Sequence, residues 1–253
     1  MNALARALSA ETLKLRGTLA LWLSLIAPTV VVALFVLQLT FSNMGDGPPD
    51  PPDEAWFMFA QGTLIVWTFL MLPLFVTLES ALLAGLEHAN HQWRHLLALP
   101  VPRGVHYLAK QFVLIGLVAL AMAVLLVLIA LGGWLLGHLQ PRLGIAGPPP
   151  WELLLPRIGG VFAAALLIVA LHTWLAIRWR SFTVAVSIGM VATVAGYLIG
   201  QSDRFGPLYP WSMPAQVLAD KGERFEFVVI ASVLGAVVVT LIGFVDFLRR
   251  EVE

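Results

Sequence analysis

Residues 87–110 read EHANHQWRHLLALPVPRGVHYLAK and hold four of the chain's six histidines. His88, His91 and His95 share one face if the segment is helical, a spacing that suits a divalent metal. No carboxylate or thiolate supplements them, and a polar helix face in contact with water accounts for the same residues. An intramembrane metalloprotease needs H-E-x-x-H, in which two histidines hold zinc and the glutamate acts as base. Here Glu87 precedes His88 and that motif is absent. The absence of cysteine removes disulfides, thiolate metal sites and Cys nucleophiles. No catalytic residue and no metal site are therefore expected.

The segment interrupts a very apolar chain. Of 253 residues, 59% are hydrophobic and 12% charged, half the roughly 25% charged content of a soluble domain. Net charge is zero, so nothing suggests a nucleic-acid partner; the expected surroundings are a lipid bilayer. The charges divide the chain into long apolar windows, each near or above the roughly 20 residues that cross the hydrocarbon as helix. The expected fold is an all-α polytopic membrane protein, a single transmembrane domain over 1–253. Its six helices are expected near 19–41, 56–79, 108–136, 157–178, 181–200 and 226–247. Pro28 and Pro73 are expected to kink the first and second.

Lysine and arginine set the orientation. Ten lie on the face that carries both termini, the 80–110 loop and the short turn between the fourth and fifth helices; five lie on the other face. The termini and the 80–110 loop are therefore expected to be cytoplasmic. Residues 2–16 are expected to form a helix on the inner membrane surface rather than a cleaved signal. Leu4, Leu8 and Leu15 share its face, and Arg6, Lys14 and Arg16 reach headgroup phosphates. The last outer loop, with Tyr209 and Trp211, suits short helices at the outer membrane surface.

Within 87–99, Ala89, Trp93, Leu96, Leu97 and Pro100 form one apolar stripe at helical spacing, and Pro100 and Pro102 end the helix. A short amphipathic helix rigidly joined to two membrane helices can pass movement from a soluble partner into the membrane. Glu87, Trp93-Arg94-His95-Leu96-Leu97-Ala98-Leu99-Pro100-Val101-Pro102-Arg103 and Lys110 resemble the E…W-x-x-L-L-x-L-P-V-x-R…K pattern of ABC-2-type transporter permeases, closest to the group found with lantibiotic-immunity and bacitracin-resistance exporters. The resemblance extends over the whole chain in layout.

That resemblance implies a coupling helix between the second and third spans, carried by Glu87, His91, Trp93, Arg94, Leu97, Pro100, Pro102 and Arg103. It implies docking into a separate ABC ATP-binding subunit, which binds ATP and Mg, and pairing with a second copy of this permease or a related one. It also implies a bacterial cytoplasmic membrane and export of an amphipathic peptide or hydrophobic toxic compound. The chain itself lacks G-x-x-x-x-G-K-S/T, the loop that wraps phosphates. An ATPase and a bound cofactor are accordingly not expected on this chain.

Polar residues inside spans are candidates for function. Gln61 and His172 are expected to be interior, whereas Gln38, Glu79, His138 and Asp246 are expected near membrane ends within reach of water. Gln61, Trp67 and Phe69 are candidates for a substrate path, although helix–helix bonding or lipid contact explains them too. Ala192, Gly196 and Gly200 make a small-residue stripe that suits a second copy or packing within the subunit. No proton-relay spacing stands out. That weakens the alternative of an ion-coupled secondary transporter; a non-transporting assembly or sensor protein is the third reading.

The charge asymmetry generates the first test. Single cysteines at Ser42 and Ser202 are expected to react with an impermeant thiol reagent on intact cells, and those at Gln92 and Glu253 to stay unlabelled. The inverse labelling pattern overturns the orientation.

Overall fold

The computed structural model describes residues 3–42, 48–89, 101–179, 181–219 and 222–249, with the side chains of 86–89 excepted. In hydrocarbon a chain must satisfy its own backbone polar groups, which leaves helices for continuous apolar runs. Nine α-helices form here among the described residues. They are α1 (Ala3–Lys14), α2 (Leu19–Thr40), α3 (Pro52–Val66), α4 (Leu72–Ala89), α5 (Arg103–Leu139), α6 (Trp151–Arg178), α7 (Phe182–Ile199), α8 (Met213–Gln216) and α9 (Phe225–Arg249). Helices α3 and α4 are joined by a π turn, Trp67–Met71, into one span. Together with α2, α5, α6, α7 and α9 this makes six helices long and apolar enough to cross a membrane.

Six apolar helices form where spans were expected, and the second, third and fourth are longer than expected, the fourth beginning at Trp151. The second begins at Pro52, a residue that needs no N–H partner in a first turn, and Asp53 and Glu54 favour that positive end. The third begins at Arg103, directly after Pro102, and runs 37 residues. Its first turns are polar; a helix continues into water as readily as into lipid, so hydropathy alone placed its start too late.

Pro73 acts on the second span as expected, through a specific distortion. A proline ring donates no hydrogen bond and clashes with the carbonyl four residues back. The chain widens to a π turn just before it, and the Leu72 N–H reaches the Trp67 carbonyl five residues away. Pro28, by contrast, lies inside an uninterrupted α2.

Helix α5 is the central post. Its Leu114, Val118, Ala121, Leu125, Ile129 and Leu136 recur every three, four or seven residues and are buried. They pack with Leu64 and Val76 of the second span and Leu154, Val161 and Ile168 of α6 in one core. Helices α1, α2 and α6 lie against α5, α4 lies against α6 and α7, and α9 lies along α6. Outer faces stay apolar, as with Leu234, Val238 and Leu241 of α9, which suits lipid.

The first helix forms over most of the expected residues and packs on the bundle. Leu8 and Leu15 pack on the protein core, and Lys14 pairs with Glu11 at 2.6 Å. Glu11 also accepts from Lys110 Nζ of α5 at 3.1 Å, and Lys110 donates to the Leu83 carbonyl of α4 at 3.0 Å. Side-chain exposure of this pair is 4% for Lys110 and 8% for Glu11, so its members are largely cut off from water. One ammonium thereby joins α1, α4 and α5.

Burial alone would raise the Glu11 carboxyl, but the Lys110 and Lys14 charges and hydrogen bonds outweigh it and hold the group below the usual carboxylate range. A group lowered on folding contributes stability above its unfolded value and loses it as pH falls through the folded one. Glu11→Gln is expected to cost about 3–5 kcal/mol, because it leaves a buried ammonium without its carboxylate. It should also flatten the acid limb of the stability profile. Thermal unfolding in lipid nanodiscs across that pH range measures both.

Candidate functional site

The expected coupling segment sits between the ends of α4 and α5. Glu87 falls in the last turn of α4, which runs to Ala89. His91, Trp93, Arg94, Leu97 and Pro100 lie outside the described residues, as does the expected short helix over 87–99 beyond Ala89, and with it the His88, His91 and His95 grouping. On the far side, Pro102 caps α5 with extended backbone at φ −54° and ψ 130°, and Arg103 is its first residue, exposed. The segment's two arms are thus helices, and Lys110 binds one arm to the other through the Leu83 carbonyl.

Deeper in the bundle, polar groups meet at His172 of α6. Its Nε2 accepts from Trp211 Nε1 at 3.3 Å and lies 3.2 Å from Thr77 Oγ1 of α4. An indole N–H only donates, so this geometry places the ring proton of a neutral His172 on Nδ1. The Thr77 hydroxyl donates to the Pro73 carbonyl one turn back at 2.8 Å, the local bond that helical threonines make. Gly189 of α7 faces this group; a Cβ there would collide with Thr77 and the His172 ring.

Trp211 belongs to the last outer segment, which goes deeper than the surface position expected for it. A 3₁₀ turn at Gly206–Leu208 and the short α8 tuck into the bundle, where Ser212, Met213, Pro214, Ala215 and Gln216 are all buried. The Ala192–Gly196–Gly200 stripe receives it. Tyr209 Oη donates to the Ala192 carbonyl at 3.1 Å, and a Cβ on Gly196 would stand 2.9 Å from that of Trp211. A Cβ on Gly200 would meet Phe69 at 2.9 Å and Ser212 at 3.1 Å. The small residues therefore admit a segment of the same subunit.

Gln61, Trp67 and Phe69 occupy three different settings. The Gln61 amide donates to the Leu218 carbonyl at 3.1 Å and accepts from Arg157 of α6, whose guanidinium also covers the Phe57 ring at 4.8 Å. Trp67 is fully buried and tilts against Phe75, their centroids 6.2 Å apart. Phe69 makes an edge contact with Tyr197 of α7. Gln61 ties the second span to the fourth and to the outer segment, Trp67 fills the core, and Phe69 meets the fifth span.

Glu79 requires a correction. It was expected near water, yet it is 0% exposed, and neither carboxylate oxygen has a hydrogen-bond partner among the described residues. The reason is the length of α4, which continues ten residues past Glu79, so the residue sits within the helix on a face packed with Leu72, Val76 and Leu83. Asp246 does sit at an end, accepting from Trp174 Nε1 at 3.1 Å with Arg178 at 3.6 Å. His138 and Gln38 are exposed. Sequence reasoning passed over Glu11; the available signal was a single carboxylate in an otherwise basic first helix.

The model of the ABC-2 family transporter proteins matches residues 7–196. The chain belongs to this family. As an ABC-2 transporter protein it is a multi-pass membrane permease subunit of an ABC exporter and not itself the ATPase. The match runs from α1 into α7, so it includes Glu11, Glu79, Lys110 and His172, while Trp211 and α9 lie beyond it. No curated protein and no solved structure matches the chain.

The tight seat of Trp211 is testable. Gly196→Leu is expected to push the outer segment off α7 and to cost about 1–3 kcal/mol, the usual range for overpacking. Thermal unfolding measures the loss, and quenching of tryptophan emission by an aqueous quencher should rise.

Proposed function

We propose that this permease couples a separate ATP-binding subunit to export of an amphipathic peptide or another hydrophobic toxic compound across a bacterial cytoplasmic membrane. Residues 87–103 are the coupling element, with Glu87, His91, Trp93, Arg94 and Leu97 meeting the ATPase and Pro100 and Pro102 stiffening the return to Arg103. The observation that carries the reading is the Lys110 clamp. Its hydrogen bond to the Leu83 carbonyl and its ion pair with Glu11 bind the two arms of that segment to each other and to α1. A push on the segment then moves helix ends that are already fastened together.

The complete exporter on this reading has two permeases, this chain with a second copy or a relative, and ATP with Mg held on the partner subunits. The cytoplasmic side of the termini follows from the excess of lysine and arginine there. The lantibiotic-immunity and bacitracin-resistance likeness supports the cargo class, as do six spans whose outer faces are lined by Leu, Val and Ile.

Tryptophan and arginine commonly dominate interfaces, and losing one such anchor costs about 2 kcal/mol or more. Trp93→Ala combined with Arg94→Ala is expected to release the copurifying ATPase while the permease still inserts. Pro100→Ala combined with Pro102→Ala is expected to keep the ATPase bound and to remove stimulation of its turnover by cargo. Full partner binding and export in the first double variant overturns the coupling role of 87–103.

A further inference from the structure

Glu79 is a wholly buried carboxyl that the coupling and packing described above do not use. It shares a stripe of α4 with Leu72, Val76 and Leu83, all of the central core, and its two oxygens have no partner among the described residues. An ionised carboxylate sealed this way loses its hydration with nothing in return, whereas the neutral acid loses far less. Among the described residues no neighbouring element supplies a compensating charge. Residues 19–40 of α2 contain no titratable group. On α5, Lys110 is committed to Glu11 and the Leu83 carbonyl, one turn nearer the cytoplasm, and Tyr107 packs on Phe244 and Phe247 of α9. His106 lies buried in the turn beyond. On α6, His172 accepts from Trp211 beside Thr77, and Arg178 pairs with Asp246. On α7, Tyr197 meets Phe69. On α1, Lys14 holds Glu11.

A metal ion or an organic cation needs oxygen ligands or space, and neither accompanies Glu79, whereas a proton needs only the carboxyl. We propose that Glu79 is a proton-binding site, carrying its proton while the bundle is sealed and exchanging it with water when the second span turns. In that exchange the O–H bond breaks, its electron pair stays on the carboxylate oxygen, and the proton leaves on a water molecule. The fold supplies a way to turn. Trp67–Met71 is a π turn two turns before Glu79, and reclosing it with α-helical hydrogen bonds shifts register by one residue, about 100° of rotation. The part below it, α4, carries Glu79 and leads into 87–103, so the exchange step rests on the coupling reading; the proton site does not.

The site is tested on the permease alone, in lipid bilayers at neutral pH, by infrared difference spectra of wild type minus Glu79→Gln. The expected result is the C=O stretch of a protonated carboxylic acid, lost in the variant. Carboxylate bands in its place overturn the proposal. Glu79→Leu, matching the apolar neighbours on its stripe, serves as the neutral variant if the glutamine form fails to insert. With the ATPase bound and a non-hydrolysable ATP analogue added, the acid band is expected to convert to carboxylate bands. An acid band unchanged by the analogue overturns the exchange, while failure of the Trp93 and Arg94 test strikes the coupling reading and the exchange step with it and leaves the proton site standing.

Discussion

The end of this permease where α1, α4 and α5 meet depends on one buried ammonium. Lys110 has three donors and no acceptor, and at 4% exposure it cannot leave them to water. Its partners include the Glu11 carboxylate and the Leu83 carbonyl, which belong to α1 and α4. The lysine stands on α5, so three elements converge on one charge. Carbonyls near a helix end lack intrahelical donors; Leu83 is six residues from the described end of α4, so its carbonyl accepts from Lys110 while the helix continues. The tie therefore fixes the spacing of α4 and α5 without ending either of them.

A second constraint acts in the bundle's middle, and it is also polar. Pro73 donates no hydrogen bond and directly follows the π turn, and one turn on Thr77 bonds back to the Pro73 carbonyl. The same threonine stands against His172, whose other partner is the indole of Trp211. A local defect in the second span thus becomes a contact among the second span, the fourth span and the outer segment. Glycine at 189 and 196 makes the approach possible, because a side chain at either position would occupy the space of Thr77, His172 or Trp211. The small stripe of α7 works inward for the same reason.

The spans were legible in the sequence because the bilayer imposes a length and a composition on each of them. The family resemblance rested on residues 87–110 and on layout, and the family match runs from Ala7 to Gly196. The partners of polar groups were not legible. Lys14 and Lys110 looked like headgroup or loop charges, but their partner Glu11 is on the first of them through a helical turn and on the second across 99 residues of chain. Glu79 looked terminal because charge was taken to mark a membrane end, whereas α4 carries it well inside. Trp211 looked interfacial, as tryptophans commonly are, and only tertiary packing brings it to His172. Hydropathy reports transfer from water to lipid; it carries no information on which buried polar group meets which.

The contrast between Lys110 and Glu79 explains how one bundle can be firm at one level and changeable at another. Buried ion pairs add little stability relative to apolar packing, and their best-attested use is to fix one arrangement against others. Lys110 and Glu11 fit that use: an apolar pair would fill the space, but it would not select the Leu83 carbonyl or hold α1 in register with α5. Glu79 has the opposite character. It stands on the face where Leu72, Val76 and Leu83 pack, so its carboxyl adds no specific bond to the sealed state and weakens that state relative to an apolar residue. A charge that is paired holds the helix ends together, and a carboxyl that is unpaired lowers the cost of moving the helix between them. Both lie on or against α4, the helix that leads directly into the proposed coupling segment, so the firm contact and the changeable one are in series along one helix.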